Sequence, residues 1–278
     1  MTLQFIVLWL ALSGLAAAVP LIQRKSSTFD LEKMTTLFSF GDSYTTEYLD
    51  LPTMSYPDHD NVSSTNGANW VYYLTQAEDL TNWDLAYNSA PIQNELVNQN
   101  GTNYAADETL YSIWVGINDV GLLLTNHNST ASLDVLMRRY RQLITYLYDH
   151  DARNIILINV PPVDRSPKWG AKDETASKMH HLVKGYNQKL LKMARSLSEM
   201  KHLRVIYIDA WAIFTRILDH PHQYGLKNVT SSCPEWRHPE KHDCLPIKDY
   251  FWLNDLHPTT KVHYHFAKAV QDFLQEMN

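Results

Sequence analysis

Five short apolar runs, at residues 37–40, 83–87, 110–115, 155–160 and 205–208, alternate along this chain with stretches of helical spacing. The helical stretches cover residues 69–77, 133–148, 174–197 and 210–218, and residues 260–277 close the chain as a further helix. Strands that read as continuous apolar runs are buried on both faces, and helices between them supply the crossovers that parallel pairing needs. The pattern predicts an α/β fold, with a five-stranded parallel sheet covered by helices on both sides. In such sheets ligands collect at the carboxyl ends of the strands.

Polar residues gather at those ends. The run at 37–40 stops at Gly41-Asp42-Ser43, the run at 83–87 at Asn88-Ser89, and the run at 110–115 at Gly116-Ile117-Asn118-Asp119. A serine hydroxyl attacks an ester only when a base takes its proton and donors receive the oxyanion. His257 lies in a turn before Pro258 and the closing helix, where Thr259 or Thr260 can cap the first turn. Taken alone, each piece is ordinary: Gly41-Asp42-Ser43 is a common turn, and His257 is one of thirteen histidines.

Their order is not ordinary. Serine early, Gly116-Ile117-Asn118-Asp119 in the middle and Asp255-Leu256-His257-Pro258 late resembles the SGNH (GDSL) hydrolase superfamily. Three further segments resemble its fungal branch of secreted acetylesterases, carbohydrate esterase family 16. They are Phe40-Gly41-Asp42-Ser43-Tyr44-Thr45, Asn66-Gly67-Ala68-Asn69-Trp70-Val71 and Val160-Pro161-Pro162-Val163-Asp164-Arg165-Ser166-Pro167. The matches span roughly residues 38 to 265. The resemblance implies a three-layer α/β/α, flavodoxin-like fold, Ser43 as nucleophile and His257 as base. It also implies an oxyanion site made by the Ser43 N–H, a backbone N–H of the second block (here Ser89) and the Asn118 amide. No metal or cofactor is implied.

The chain departs from the family pattern twice. Relatives carry glycine in the second block, where this chain has Asn88-Ser89; glycine allows positive φ and close approach. The triad acid of the family stands three residues before the histidine, which here is Asn254. An amide orients an imidazole through its carbonyl but brings no negative charge. Asp255 is the nearest carboxylate, and we assign the acid role to it, with Asn254 or a Ser-His dyad as alternatives. Asp42 reads as a turn anchor and Asp119 as structural, and Asp164-Arg165 is open between substrate contact and surface ion pair.

The remaining features fit secretion. Residues 2–18 are uncharged and mostly apolar, end in small residues and are too short for a membrane anchor, so residues 1–18 read as a cleaved signal peptide. Residues 19–278, about 260 in all, then form one hydrolase domain. Cys233 and Cys244 are expected to pair as a local disulfide, the alternative being zinc with His238 and His242. Asn61, Asn100, Asn128 and Asn228 begin glycosylation sequons. The disulfide would staple a long irregular excursion, from about residue 221 to 249, that either shapes the pocket or is a surface insertion. A net charge of −6 without a basic cluster argues against nucleic acid, and no later segment is apolar enough to span a membrane. The expectation is a secreted, monomeric esterase acting on a small ester or an acetylated oligosaccharide. A lipase or lysophospholipase for longer acyl chains, and a carbohydrate-binding pseudo-enzyme, are the alternatives.

Overall fold

The computed structural model describes residues 29–57, 63–92, 105–126 and 132–277. Residues 1–18, read as the leader, and the sequons at Asn61, Asn100 and Asn128 lie outside them. In chain order the strands are β1 (Thr36–Gly41), β2 (Thr81–Asp84), β3 (Thr109–Trp114), β4 (Asn154–Ile158) and β5 (Arg204–Ile208). The helices are α1 (Trp70–Glu78), α2 (Ile117–Thr125), α3 (Leu133–Asp149), α4 (Pro167–Gly170), α5 (Asp173–Leu197), α6 (Ala210–Asp219) and α7 (Thr260–Gln275).

All pairings are parallel, in the order β2-β1-β3-β4-β5. Every residue of β1 and β4 is buried, as a sheet covered on both faces requires. Helix α7 packs on α1 and α6, while α5 packs on α2 and α3, so two helical layers enclose the sheet. Strand order reverses direction between β1 and β3. The crevice at such a switch point is where open α/β sheets bind ligands, and Ser43 and Asn118 follow those two strands.

The second strand ends earlier than the apolar run suggests. Asp84 turns its carboxylate back onto the Ala86 N–H and breaks the ladder. The chain still follows β1, because the Leu85 and Tyr87 N–H groups donate to the Ser39 and Gly41 carbonyls at 2.8 and 3.0 Å. That keeps Asn88-Ser89 beside the nucleophile turn. Helix α2 went unread in the sequence, which showed only a turn. Gly116 opens it with φ 121°, and a Cβ there would lie 2.4 Å from the Tyr186 ring. Both the angle and the space call for glycine.

The excursion at 221–249 braces the loop that carries His257. Cys233 and Cys244 form a disulfide with Cα atoms 5.8 Å apart, which leaves no thiolate for the zinc alternative. Its return is tied down by Lys227 and Asn228 N–H bonds to the Asp249 carbonyl, by a Phe251 N–H bond to Asn228, and by the Trp252 indole on the Val229 carbonyl. A bridge between Trp252 and Pro258 then closes the His257 loop at its base. Capping of α7 differs from expectation. Thr259 turns its hydroxyl to the Tyr250 carbonyl, and the Thr260 N–H is received by Asn66 Oδ1 at 3.0 Å.

Candidate active site

The turn after β1 is held by its own aspartate. Asp42 Oδ1 accepts from the Tyr44 N–H, and its carbonyl accepts from the Thr45 and Thr46 N–H groups, all at 3.0 Å. Asn69, the N-cap of α1, donates to the Thr45 and Thr46 carbonyls at 2.6 and 3.1 Å and fixes the turn from the other side. Ser43 thereby projects toward the loop before α7. Its Oγ lies 2.7 Å from His257 Nε2.

Asn254, not Asp255, meets the other ring nitrogen. Asn254 Oδ1 stands 3.1 Å from His257 Nδ1 and also accepts the Leu256 and His257 N–H groups at 2.9 and 2.8 Å. Two backbone donors on that atom identify it as the amide oxygen. Nδ1 must therefore carry the ring proton, and the lone pair on Nε2 faces the Ser43 hydroxyl. The assignment of the acid role to Asp255 is corrected on this point: its side chain is exposed and hydrogen-bonds no ring atom, because the tight turn of the loop points it outward. Asp255 acts on the imidazole only as a nearby charge. Burial, the dominant influence, lowers the His257 pKa to about 4, against a partial upward pull from Asp255.

The donors lie opposite. Asn118, in the first turn of α2, is oriented by Asp42 Oδ2 at 3.2 Å and the Ala90 carbonyl at 3.4 Å. The N–H groups of Ser43 and Ser89 donate to no other group among the described residues. Ser89 has φ 63° within a turn closed by the Ala90 N–H on the Tyr87 carbonyl at 3.0 Å. Serine thus takes the left-handed angle that glycine or asparagine ordinarily supplies in such turns. Asp119 receives the Ile92 N–H on both carboxylate oxygens and anchors the end of this block. Asp164 bonds His180, and Arg165 pairs with Asp219 at 2.6 Å on the surface. Among the described residues no group of three or more His, Cys, Asp or Glu is arranged to hold a metal ion. Asn228, the one described sequon, is half-buried, and its amide bonds the Ser231 hydroxyl. Sequence reasoning missed Tyr44, whose phenol reaches the Leu256 carbonyl at 2.6 Å.

Four acids around this framework are buried without a basic partner. Burial pushes Asp42 and Asp84 up to about 7, Glu47 to about 8 and Asp119 to about 6; Asp84 adds to the rise at Glu47. A carboxyl raised in the folded state stabilises below its ordinary range and loses that contribution as pH climbs through the raised value. His257 and His263, lowered by burial to about 4 and about 3, act in the opposite sense: their contribution is complete above about 6.5 and is lost as pH falls to those values. Four groups outweigh two between pH 8 and 5. The melting temperature should therefore rise by roughly 10 °C from pH 8 to pH 5 and fall again below about pH 4. Calorimetry across that range checks it; a midpoint highest at pH 8 would show these acids to be ionised or paired in the fold.

A serine hydroxyl on the free lone pair of an imidazole, with amide donors alongside, is the arrangement of a serine hydrolase, and the family to which the chain belongs makes it a carboxylic ester hydrolase. The chain belongs to the GDSL-like lipase/acylhydrolase family, whose model matches residues 37–270. It is 28% identical to an acetylesterase of Thermothelomyces thermophilus, over 85% of this chain and 87% of that one. Among solved structures, a variant of an acetyl-xylooligosaccharide esterase from Geobacillus shares the fold with a TM-score of 0.53 and 18% identity, covering 88% of this chain and 96% of that one. A putative GDSL-like lipase from Parabacteroides merdae matches with a TM-score of 0.59 at 14% identity, covering 91% of this chain and all of the other (100%).

Proposed function

We propose that this protein is a secreted esterase that removes acetyl groups from small esters, acetylated hemicellulose oligosaccharides being the substrate class, through an acyl-enzyme on Ser43. The 2.7 Å contact between Ser43 Oγ and a proton-accepting His257 Nε2 carries the reading. As Oγ bonds to the ester carbonyl carbon, its proton passes to Nε2. The carbonyl oxygen becomes an oxyanion facing the Ser43 and Ser89 N–H groups and the Asn118 amide. Collapse expels the alcohol, which takes the proton from the imidazolium, and leaves Ser43 acylated. Water repeats the sequence, bonding to the acyl carbon while His257 takes its proton, and releases the acid and the serine hydroxyl. Support for acetyl comes from the fungal acetylesterase relative, which this chain matches over most of its length.

A specific feature favours a second reading. A cavity of about 240 Å³, lined among others by Gly41, Leu85, Ala86, Ala90, Ile92 and Val115, lies beneath the second-block turn and is mostly apolar. Its lining reaches the nucleophile turn at Gly41 but not Ser43, Asn118 or His257, so it would serve an acyl chain longer than acetyl only if that chain passed the second-block turn. Aryl esters from acetyl to octanoyl separate the two: kcat/KM should be highest for acetyl, with acetate released from acetylated xylo-oligosaccharides. A maximum at octanoyl would transfer the assignment to a lipase-like activity.

A further inference from the structure

Tyr44 follows the nucleophile directly in the chain, yet its side chain turns away from the crevice and is 1% exposed. Its ring packs edge-on against Trp114 and tilts against His257 and His263, with centroids 5.5, 5.6 and 6.0 Å away. Its phenol donates to the Leu256 carbonyl at 2.6 Å, across a separation of 212 residues. That carbonyl belongs to the peptide unit whose N–H is His257 N, the group received by Asn254 Oδ1. The unit that carries the imidazole is therefore held at both ends, by Tyr44 on its oxygen and by Asn254 on its hydrogen.

We infer that Tyr44 is a positioning residue, coupling the nucleophile turn to the histidine loop so that the Ser43–His257 distance is set by one short rigid path. The path runs Ser43, Tyr44, phenol, Leu256 carbonyl, His257. At the Ser43 end the Tyr44 N–H is fixed by Asp42, and at the ring the flanking aromatics leave one orientation for the phenol. The loop has its own closure at the Trp252–Pro258 bridge and a Leu253 N–H bond to the His257 carbonyl, but both act within the loop. Of the polar contacts just described, only the Tyr44 phenol refers the loop to the serine turn independently of the catalytic hydrogen bond itself. A displacement near 1 Å between a nucleophile and its base costs far more in turnover than in substrate binding.

The inference rests on the proposed serine mechanism, and its test keeps the two apart. Tyr44→Phe deletes the phenol oxygen and keeps the ring. It should lower kcat on an aryl acetate by about tenfold with KM within about twofold, and slow covalent labelling of Ser43 by a fluorophosphonate in parallel. In a His257→Ala background the same change should have no further effect, because the tyrosine acts through the histidine. Tyr207→Phe, which removes another buried phenol bonded to Asn159 at 2.9 Å on β5, controls for loss of a buried hydrogen bond and should leave kcat unchanged. Tyr44→Phe with wild-type kcat, a loss equal to that of Tyr207→Phe, or an undiminished loss without His257 would overturn the inference. Should Ser43→Ala retain wild-type turnover, the mechanism itself falls and the inference with it; an inactive Ser43→Ala beside a fully active Tyr44→Phe removes the inference alone.

Discussion

Alanine at position 43 should lower kcat on an aryl acetate by about 10⁴- to 10⁶-fold, the range that loss of an activated serine produces in other hydrolases. Among the described residues the only hydrogen bond of the Ser43 hydroxyl is to His257, so the substitution removes a nucleophile without leaving a structural partner unmet. Asp42 cannot replace it. Its carboxyl is fully buried, holds the Tyr44 N–H and the Asn118 amide, and is raised to about 7 by burial. His257→Ala should cost nearly as much, and the double variant little more, because serine and histidine act as one unit. What remains above the uncatalysed rate measures the donors at Ser43, Ser89 and Asn118. Stopped assays with purified Ser43→Ala check the claim. Turnover within tenfold of wild type would mean that Ser43 is not the nucleophile, whereas the carbohydrate-binding alternative predicts no turnover in either protein.

Much of this site was legible because it depends on strand ends. Continuous apolar runs placed β1, β3, β4 and β5 within a residue or two, and a parallel sheet then puts Ser43 and Asn118 at one edge. The failures share a physical cause, which is backbone geometry set by particular side-chain hydrogen bonds, near or distant in sequence, that apolar spacing does not encode. Asp84 shortened β2 by bonding its own backbone, and Asn66 capped α7 from 194 residues away. Asn254 and Asp255 are neighbours that spacing cannot separate; a turn closed by two N–H bonds to one amide oxygen separates them. Ser89 shows the converse. The missing glycine was visible, and the backbone takes the left-handed angle regardless, at a strain of about 1 kcal/mol. Tyr44 gave no signal, because nothing local reveals that its phenol meets Leu256.

Aspartate at position 254 should raise turnover at neutral pH by about 10- to 100-fold and move the acid limb of the rate profile upward. Asn254 Oδ1 already receives the Nδ1 proton and two backbone N–H groups, so an isosteric carboxylate enters a site built for an anion. Those donors would keep it ionised. Among the described residues the amide nitrogen that it replaces donates to no group, so no hydrogen bond seen there is lost. The gain comes at the step where Ser43 hands over its proton and a positive imidazolium forms: an amide orients that ring, whereas a carboxylate also offsets its charge. The same charge raises the His257 pKa from about 4, where burial has set it, toward the ordinary value near 6.5. A base must be unprotonated to act, so Asn254→Asp should begin to lose activity two pH units or so above the point where the wild type does. On these expectations the native amide would give up rate at neutral pH and keep the histidine available in acid, where the buried carboxyls should also make the fold most stable. Asp255→Asn is the control, and should change neutral turnover by less than about threefold because that carboxylate touches no ring atom. Profiles of kcat/KM from pH 3.5 to 8.5 for the three proteins decide it. Loss of activity in Asp255→Asn, with Asn254→Asp unchanged in rate and limb, would return the acid role to Asp255.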